Sequence, residues 1–280
     1  MQIDYIDKMV TQTLEEDIGS GDLTASLIPE SSQSQAKVIV RERATICGTL
    51  WFNRVFAQLD DQVQVNWKVK DGDVVSNDQT LCTITGPSRS ILTGERTALN
   101  FLQTLSATAT AAASYVKLVE DLPATILDTR KTVPGLRQAQ KYATRIGGCT
   151  NHRIGLYDGI LIKENHILAC GSIGQAVKQA KLLSNDYPVE VEVENLEELQ
   201  QAIDAIADII MLDNFTLPDM SAAVTLNAGC AKLEASGGVS LETVRAIAET
   251  GVDFISVGSL TKDIKAIDLS MRFDDKGASD

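Results

Sequence analysis

Residues 128–163 concentrate positive charge in a chain that is otherwise acidic. The stretch opens D-T-R-K-T-V-P-G-L-R and ends N-H-R-I-G-L-Y-D-G-I-L-I-K. It carries Arg130, Lys131, Arg137, Lys141, Arg145, Arg153 and Lys163 against Asp128 and Asp158, whereas the whole chain has a net charge of -13. A cationic patch on such a protein selects for a small polyanion, so the implied chemistry is a grip on carboxylates and phosphates.

Acidic and glycine-rich motifs follow. In V-E-V-E-V-E at 189–194 the period is two, which puts Glu190, Glu192 and Glu194 on one face and three valines on the other. If the valines meet helices, the glutamates face an interior and need cations or a metal. Lys163, Lys232 and Mg²⁺ are the available partners; a solvated edge strand is the plainer alternative. Lys163 ends the run G-I-L-I and reads first as an anion ligand, with a partner for those glutamates and a Schiff-base nucleophile left open beside it. Asp213 ends the next strand, where neighbouring carboxylates hold Mg²⁺ or meet the vicinal hydroxyls of a sugar. Ser236-Gly237-Gly238 and Gly258-Ser259 each lie between a strand and a helix, and together they read as a phosphate cup. The only histidines, His152 and His166, fall in or beside the cationic stretch. Cys149, His152, His166 and Cys170 do not match a zinc spacing. His166 reads as a helix cap, and His152 beside Arg153 as an anion contact.

Apolar patterning supplies the elements that must position these groups. Helical spacing marks 3–16, followed by a loop with Gly19 and Gly21. A strand is expected at 36–47, a helix at 48–59 and short strands at 63–69, 74–75 and 81–85. The 63–85 pattern resembles the hammerhead hairpins of lipoyl and biotinyl carrier domains, but its tip is Asn77-Asp78 with no lysine, so it is read as scaffold. Gly86-Pro87 is expected to break the chain; after it comes an Ala-rich helical stretch over 92–122, as one helix or two, and the domain boundary is placed near 105. Strands are then expected at 125–128, 159–163, 189–194, 209–213, 232–236 and 254–259, with helices at 173–183, 196–207, 218–227, 241–249 and 262–271. From Glu192 to Asp213 is 21 residues, Asp213 to Ser236 is 23 and Ser236 to Gly258 is 22. A βα unit of that size implies parallel strands with right-handed crossovers. Polar residues at nearly every strand end point to a barrel rim rather than a single switch point. The expectation is an N-terminal α/β domain over 1–105 and an incomplete α/β barrel of six or seven strands over 106–269, with the 270–280 tail packing back on the first domain.

Composition narrows the class. An apolar fraction of 44% and an aromatic fraction of 5% fit a globular protein. No apolar run approaches the ~20 residues that span a bilayer, and the N-terminus lacks a signal-peptide core. Five dispersed cysteines read as free thiols in a reducing cytoplasm. Overall acidity argues against nucleic acid and anionic membranes.

The motifs taken together resemble a known family. E-D-I-G-S-G-D-L-T at 16–24, E-R-T-A-L-N-F-L-Q at 95–103, the 128–137 and 151–158 motifs, L-I-K-E-N-H at 161–166, V-E-V-E at 191–194 with the following E-N-L-E, L-D-N-F at 212–215 and E-A-S-G-G at 234–238 look like quinolinate phosphoribosyltransferase. That resemblance implies an α/β sandwich joined to an incomplete barrel, working as a homodimer or a multiple of one, with Arg96 reaching the neighbouring subunit's site. It implies quinolinate and phosphoribosyl pyrophosphate as substrates and Mg²⁺ as cofactor. Arg130, His152, Arg153 and Lys163 would hold the two carboxylates, and Lys131 with Lys163 the pyrophosphate. Glu192 and Asp213 would lie near the ribose hydroxyls and Mg²⁺, and Ser236, Gly237, Gly258 and Ser259 would cradle the 5′-phosphate. Where the family commonly has histidine after L-T, this chain has Lys262. The alternatives are a phosphoribosyltransferase on nicotinate or another pyridine, a Schiff-base aldolase on a phosphosugar using Lys163, and a non-enzymatic carrier or scaffold.

Overall fold

A computed structural model describes residues 3–183 and 186–273. The chain divides into two compact units, one of Met1–Thr110 with Ile264–Asp280 and one of Ala111–Asp263.

The first unit opens with α1 (Ile3–Ile18), whose apolar positions bury Ile6, Val10 and Leu14. Gly19, at φ +51°, ends it, its N–H donating to Glu15 O. The chain then forms β1 (Gln33–Val40), β2 (Ala44–Thr45), α2 (Thr49–Leu59), β3 (Gln64–Trp67), β4 (Val74–Val75) and β5 (Thr80–Pro87). β5 carries on through Gly86-Pro87, where a break was expected, and Pro87 is its last pairing residue, against Gln33. The sheet order is β12-β1-β5-β3, β12 being the last strand of the chain (Leu269–Phe273), and β2 pairs with β4 apart from it. Trp51, Phe52 and Phe56 of α2 are fully buried; Trp67 stacks edge-on against Phe52 and donates to Asn53 Oδ1 at 2.8 Å. Each such aromatic removes roughly 150–250 Å² of surface from water. Gly94 lets the next helix, α3 (Ser88–Val119), approach α2, because a Cβ there would sit 2.7 Å from the Phe56 ring. The Gly19–Gly21 loop is tied to α3: Asp22 accepts from the backbone N–H of Thr24 and Ala25 and from Thr93 Oγ1. α3 is one unbroken helix; it buries Ala98, Leu102 and Leu105 in the first unit and Ala112, Tyr115 and Val119 in the second.

The second unit alternates strand and helix: β6 (Thr125–Leu127), α4 (Arg137–Ile146), β7 (Ile160–Ile162), α5 (Glu164–Cys170), α6 (Ile173–Leu183), β8 (Val189–Val193), α7 (Leu196–Asp204), β9 (Ile209–Asp213), α8 (Leu217–Asn227), β10 (Lys232–Ser236), α9 (Val244–Glu249), β11 (Phe254–Ser256) and α10 (Ser259–Lys262). All six strands are parallel, in the order β6-β11-β10-β9-β8-β7. That order is cyclic: the first strand lies beside the last. An open doubly wound sheet reverses direction part-way, so this is a barrel that stays unclosed between β6 and β7. Thr150 partly fills the gap, bridging Leu127 and exchanging backbone hydrogen bonds with Ile126 and Asp128. β8 lies between β7 and β9 and is no edge strand; Val189, Val191 and Val193 are buried in one apolar core with Val177, Leu199 and Ala202 of the flanking helices.

Two expectations are corrected here. α4 was not anticipated, because it buries Gln140, Lys141 and Thr144 where apolar residues would have signalled a helix. The helix expected at 262–271 is instead a four-residue helix followed by β12, which pairs antiparallel with β1 from Ala36↔Phe273 to Val40↔Leu269. The tail expected to pack back on the first domain thus begins as a strand of that unit's sheet, and residues 274–280 lie outside the described residues. Among the described residues no helix is long and apolar enough to cross a membrane.

Candidate active site

One cavity of about 280 Å³ opens at the C-terminal ends of the barrel strands, lined by Thr129, Arg130, Lys131, His152, Arg153, Leu161, Lys163, Glu192, Met211, Asp213, Glu234, Ser236 and Ser256. It gathers eight of the residues singled out from sequence. Gly237, Gly258 and Ser259 lie in the βα turns beside it, while Arg96 is an exposed residue of α3 in the first unit.

Lys163 is the N-cap of α5. Its backbone N–H donates to His166 Nδ1 at 3.0 Å, so His166 is a cap, and its ammonium pairs with Glu192. Of the three roles left open for Lys163, partner to a glutamate is the one its contacts display. Lys232, the other proposed partner, is at the opposite end of its strand and pairs with Asp253 at 2.7 Å. Glu190 and Glu192 face the barrel interior as the period of two requires, and Glu194 is exposed beyond the strand end.

The 128–163 cations divide by task. Arg130, Lys131, Arg153 and Lys163 reach the cavity. Arg137 binds Thr132 Oγ1 and the carbonyls of Ile154 and Arg130. Arg145 is exposed on α4, away from the cavity lining. Lys141, read from sequence as part of the patch, is 2% exposed and pairs with the fully buried Asp128. Asp128 also accepts from Thr144 Oγ1, Asn151 Nδ2 and the His152 N–H, and Lys141 donates to His152 O at 2.8 Å. This network fixes the segment that presents His152 and Arg153. Burial lowers the Lys141 pKa, against the pull of Asp128.

The turns after β9 and β10 interlock. Asn214 adopts φ +56°, donates its backbone N–H to Ser236 O at 2.9 Å and holds the Asp213 carboxylate through Nδ2 at 2.8 Å. Gly237, at φ +97°, lies against it, and a Cβ there would collide with the Asn214 side-chain oxygen. Lys131 runs past Gly258, where a Cβ would meet its Cδ at 3.0 Å. Thr261 Oγ1 holds Lys131 O at 2.7 Å, and buried Gln140 ties Thr261 O to the Val133 N–H. Ser259 meets the Tyr115 hydroxyl at 3.2 Å, and Lys262 pairs with Asp263.

The structure brings His152 and Glu190 together with Glu234, a lining residue that sequence reasoning passed over. His152 Nε2 lies 2.9 Å from Glu190 Oε2 and 3.7 Å from Glu234 Oε2. Its Nδ1 accepts the Arg153 N–H at 2.8 Å. Burial disfavours charge on the ring, while the hydrogen bond and charge of Glu190, with Glu234 behind it, outweigh that and raise its pKa. Because Nδ1 accepts the Arg153 N–H, the ring carries its proton on Nε2, toward Glu190. Both ring nitrogens are therefore engaged within the protein. Glu234 had a signal in the sequence: two residues before Ser236 on one strand, it shares that residue's face.

Comparison with known proteins agrees with this arrangement. The family model "Quinolinate phosphoribosyl transferase, C-terminal domain" matches residues 108–272, and "Quinolinate phosphoribosyl transferase, N-terminal domain" matches 22–106. A probable nicotinate-nucleotide pyrophosphorylase (carboxylating) of Bacillus subtilis is 42% identical over 265 residues, covering 94% of this chain and 92% of that one. The nicotinate-nucleotide pyrophosphorylase (carboxylating) of Mycobacterium leprae is 38% identical, covering 94% and 95%. The structure of the nicotinate-nucleotide pyrophosphorylase of Francisella tularensis superposes with a TM-score of 0.96 at 49% identity, covering 98% of each chain. With both halves matched in order, and an incomplete barrel gathering the expected cations, this chain belongs to the quinolinate phosphoribosyltransferase family.

Proposed function

We propose that the chain transfers the phosphoribosyl group of phosphoribosyl pyrophosphate to quinolinate with loss of CO₂, giving nicotinate mononucleotide and pyrophosphate for de novo NAD synthesis. One observation carries this reading. An acidic protein places Arg130, Lys131, Arg153 and Lys163 around a single cavity, and Arg130 Nε is buried there with no hydrogen-bond partner. An orphaned guanidinium N–H asks for an acceptor, and a planar carboxylate suits its fork.

Arg130, Arg153 and Lys163 would bind the two carboxylates of quinolinate. His152, with both ring nitrogens engaged, would serve by holding the Arg153 backbone. Lys131, as a point charge, suits the pyrophosphate. The turns at Ser236-Gly237 and Gly258-Ser259 would offer backbone N–H groups to a phosphate, with Gly237 packed against Asn214 and Gly258 against Lys131. Breaking the C1–pyrophosphate bond develops positive charge on the ribose ring, which Glu192 and Asp213 would stabilise. The pyridine nitrogen takes C1, and its positive charge then draws the electrons of the departing C2 carboxylate into the ring.

Glu192 and Asp213 line the same cavity, and their oxygens are the hard donors Mg²⁺ prefers, so these two residues would hold the ion. Bound there, it would supply neutralisation of charge on the leaving pyrophosphate. We further propose a homodimer in the cytoplasm, with Arg96 contributed across the interface. An aldolase would need Lys163 free to attack a carbonyl, whereas its side chain is engaged by Glu192.

The test is an assay with quinolinate, phosphoribosyl pyrophosphate and Mg²⁺, following CO₂ and nicotinate mononucleotide together. Both should appear, and both should vanish when either substrate or the metal is omitted. Turnover of nicotinate but not quinolinate would refute the dicarboxylate reading.

A further inference from the structure

Loss of CO₂ leaves an electron pair on C2 of the ring, and a proton must take the place of the carboxylate. This inference rests on the function proposed above. Most proton carriers on the cavity wall are committed. Arginine does not release its proton in proteins. Lys163 is paired with Glu192, Lys131 is given above to the pyrophosphate, and the one N–H of His152 is directed at Glu190. Glu234 remains.

Glu234 is 1% exposed and forms part of the wall of the substrate cavity. It also borders a second cavity of about 210 Å³, lined by Ile160, Ile209 and Phe254 at the starts of their strands. The groups facing it are Glu190 of β8, His152 of the 147–159 segment and the Ser256 hydroxyl of β11. Neither carboxyl oxygen has a partner in hydrogen-bonding geometry. Ligand atoms of His152, Glu190 and Glu234 lie within 4.8 Å of one another. Two carboxyl groups thus share one ring N–H, which serves Glu190. A buried carboxyl left without a cation does not stay ionised. Burial, then the charge of Glu190, raise the Glu234 pKa from 4.5 to about 8. The same three side chains have the composition of a metal site, but His152 Nε2 carries a hydrogen and offers no lone pair.

We propose that Glu234, held as the neutral acid, delivers the proton that C2 takes up when its carboxylate leaves. The bond from C2 to the carboxylate carbon breaks, CO₂ departs and the electron pair stays on C2. The Glu234 O–H bond then breaks, and its proton forms the new C2–H bond. Glu234, left as the carboxylate, regains a proton from solvent before the next turnover. The quinolinate ring must then sit with its C2 edge on the cavity floor, between Arg130 and Arg153.

The experiment compares the full chain with Glu234→Gln in single-turnover reactions, following pyrophosphate release and nicotinate mononucleotide formation separately. If the unaltered chain forms no mononucleotide, the proposed function itself falls and this assignment with it. If it does, Glu234→Gln should release pyrophosphate within about threefold of the parent rate and form the mononucleotide ~100-fold or more slowly, the scale of a lost general acid. The parent kcat should decline as pH rises past about 8, where Glu234 loses its proton, and that decline should be absent from the variant. Equal loss of both steps would mark a structural role, and an undiminished second step would mark another donor. Persistence of the alkaline decline in the variant would likewise overturn the assignment.

Discussion

Replacing Asp128 with Asn keeps the shape of a side chain that accepts from four donors, but it removes the charge and turns one acceptor oxygen into an NH₂ that faces two of those donors. Lys141, 2% exposed, is then left as a buried ammonium without a counter-ion. Breaking a buried pair from one side costs about 3–5 kcal/mol. The second unit spans 153 residues (263 − 111 + 1), a size at which 1 kcal/mol moves Tm by roughly 2–4 °C, so Asp128→Asn should lower Tm by roughly 6–20 °C. The sign of the pH dependence follows from Lys141. Burial already lowers its pKa, and losing Asp128 lowers it further. The folded variant then binds fewer protons than the unfolded chain, so its stability rises with pH and the deficit shrinks as Lys141 deprotonates. Adding Lys141→Met should recover at least half of the loss, because the stranded charge is gone. The assay is thermal unfolding of the three variants and the parent across neutral to alkaline pH. A Tm within about 2 °C of the parent for Asp128→Asn, or a deficit that does not change with pH, would refute the reasoning.

Arg96→Ala and Arg130→Ala chains should each be inactive alone, and a mixture that forms heterodimers should regain part of the activity; heterodimers without activity would exclude a shared site. Gly237→Ala places a Cβ against Asn214 at φ +97°, with a strain of about 1–3 kcal/mol. It should raise the KM for phosphoribosyl pyrophosphate by roughly tenfold or more, and unchanged steady-state kinetics would show that the turn has room to spare. Burial holds the thiols of Cys82 and Cys149 up to about 12 and that of Cys47 well above the usual range, whereas Cys170 and Cys230 are more exposed. Ellman's reagent should therefore titrate two thiols per native chain, with the other three reacting only after unfolding.

The βα succession was legible because parallel strands buried on both faces read as short apolar runs, such as Ile160–Ile162 and Ile209–Asp213, at nearly constant spacing. The lumen-facing glutamates were legible from alternation alone. What escaped depends on distance in space. Asp128 and Lys141 are thirteen residues apart with a strand end, a turn and a helix start between them, so no local rule pairs them. Lys141 therefore counted as surface charge, and α4, whose inner face is polar, left no apolar signature. At 262–271 a few apolar residues fit either period; Ile267 and Leu269 are buried two apart, as on a strand, and only the presence of β1 decides between the readings. Glu234 shows the same limit: its alternation with Ser236 gives the face it occupies, but its lack of a cation emerges only when Glu190 and His152 converge on it.

The first unit is interrupted in sequence, and this bears on how the chain is made. β1 is completed on one side by β5, soon after both leave the ribosome, and on the other by β12, after the whole barrel has been synthesised. Throughout that interval β1 carries an unpaired edge, the kind of surface that recruits foreign strands. Closing it requires contacts of very long sequence separation, which slow folding. The residues from Leu269 to Phe273 therefore act as a late-arriving cover. A chain cut short ahead of them would keep every residue of the catalytic cavity and still be prone to aggregate, because its earliest sheet would remain sticky along one side.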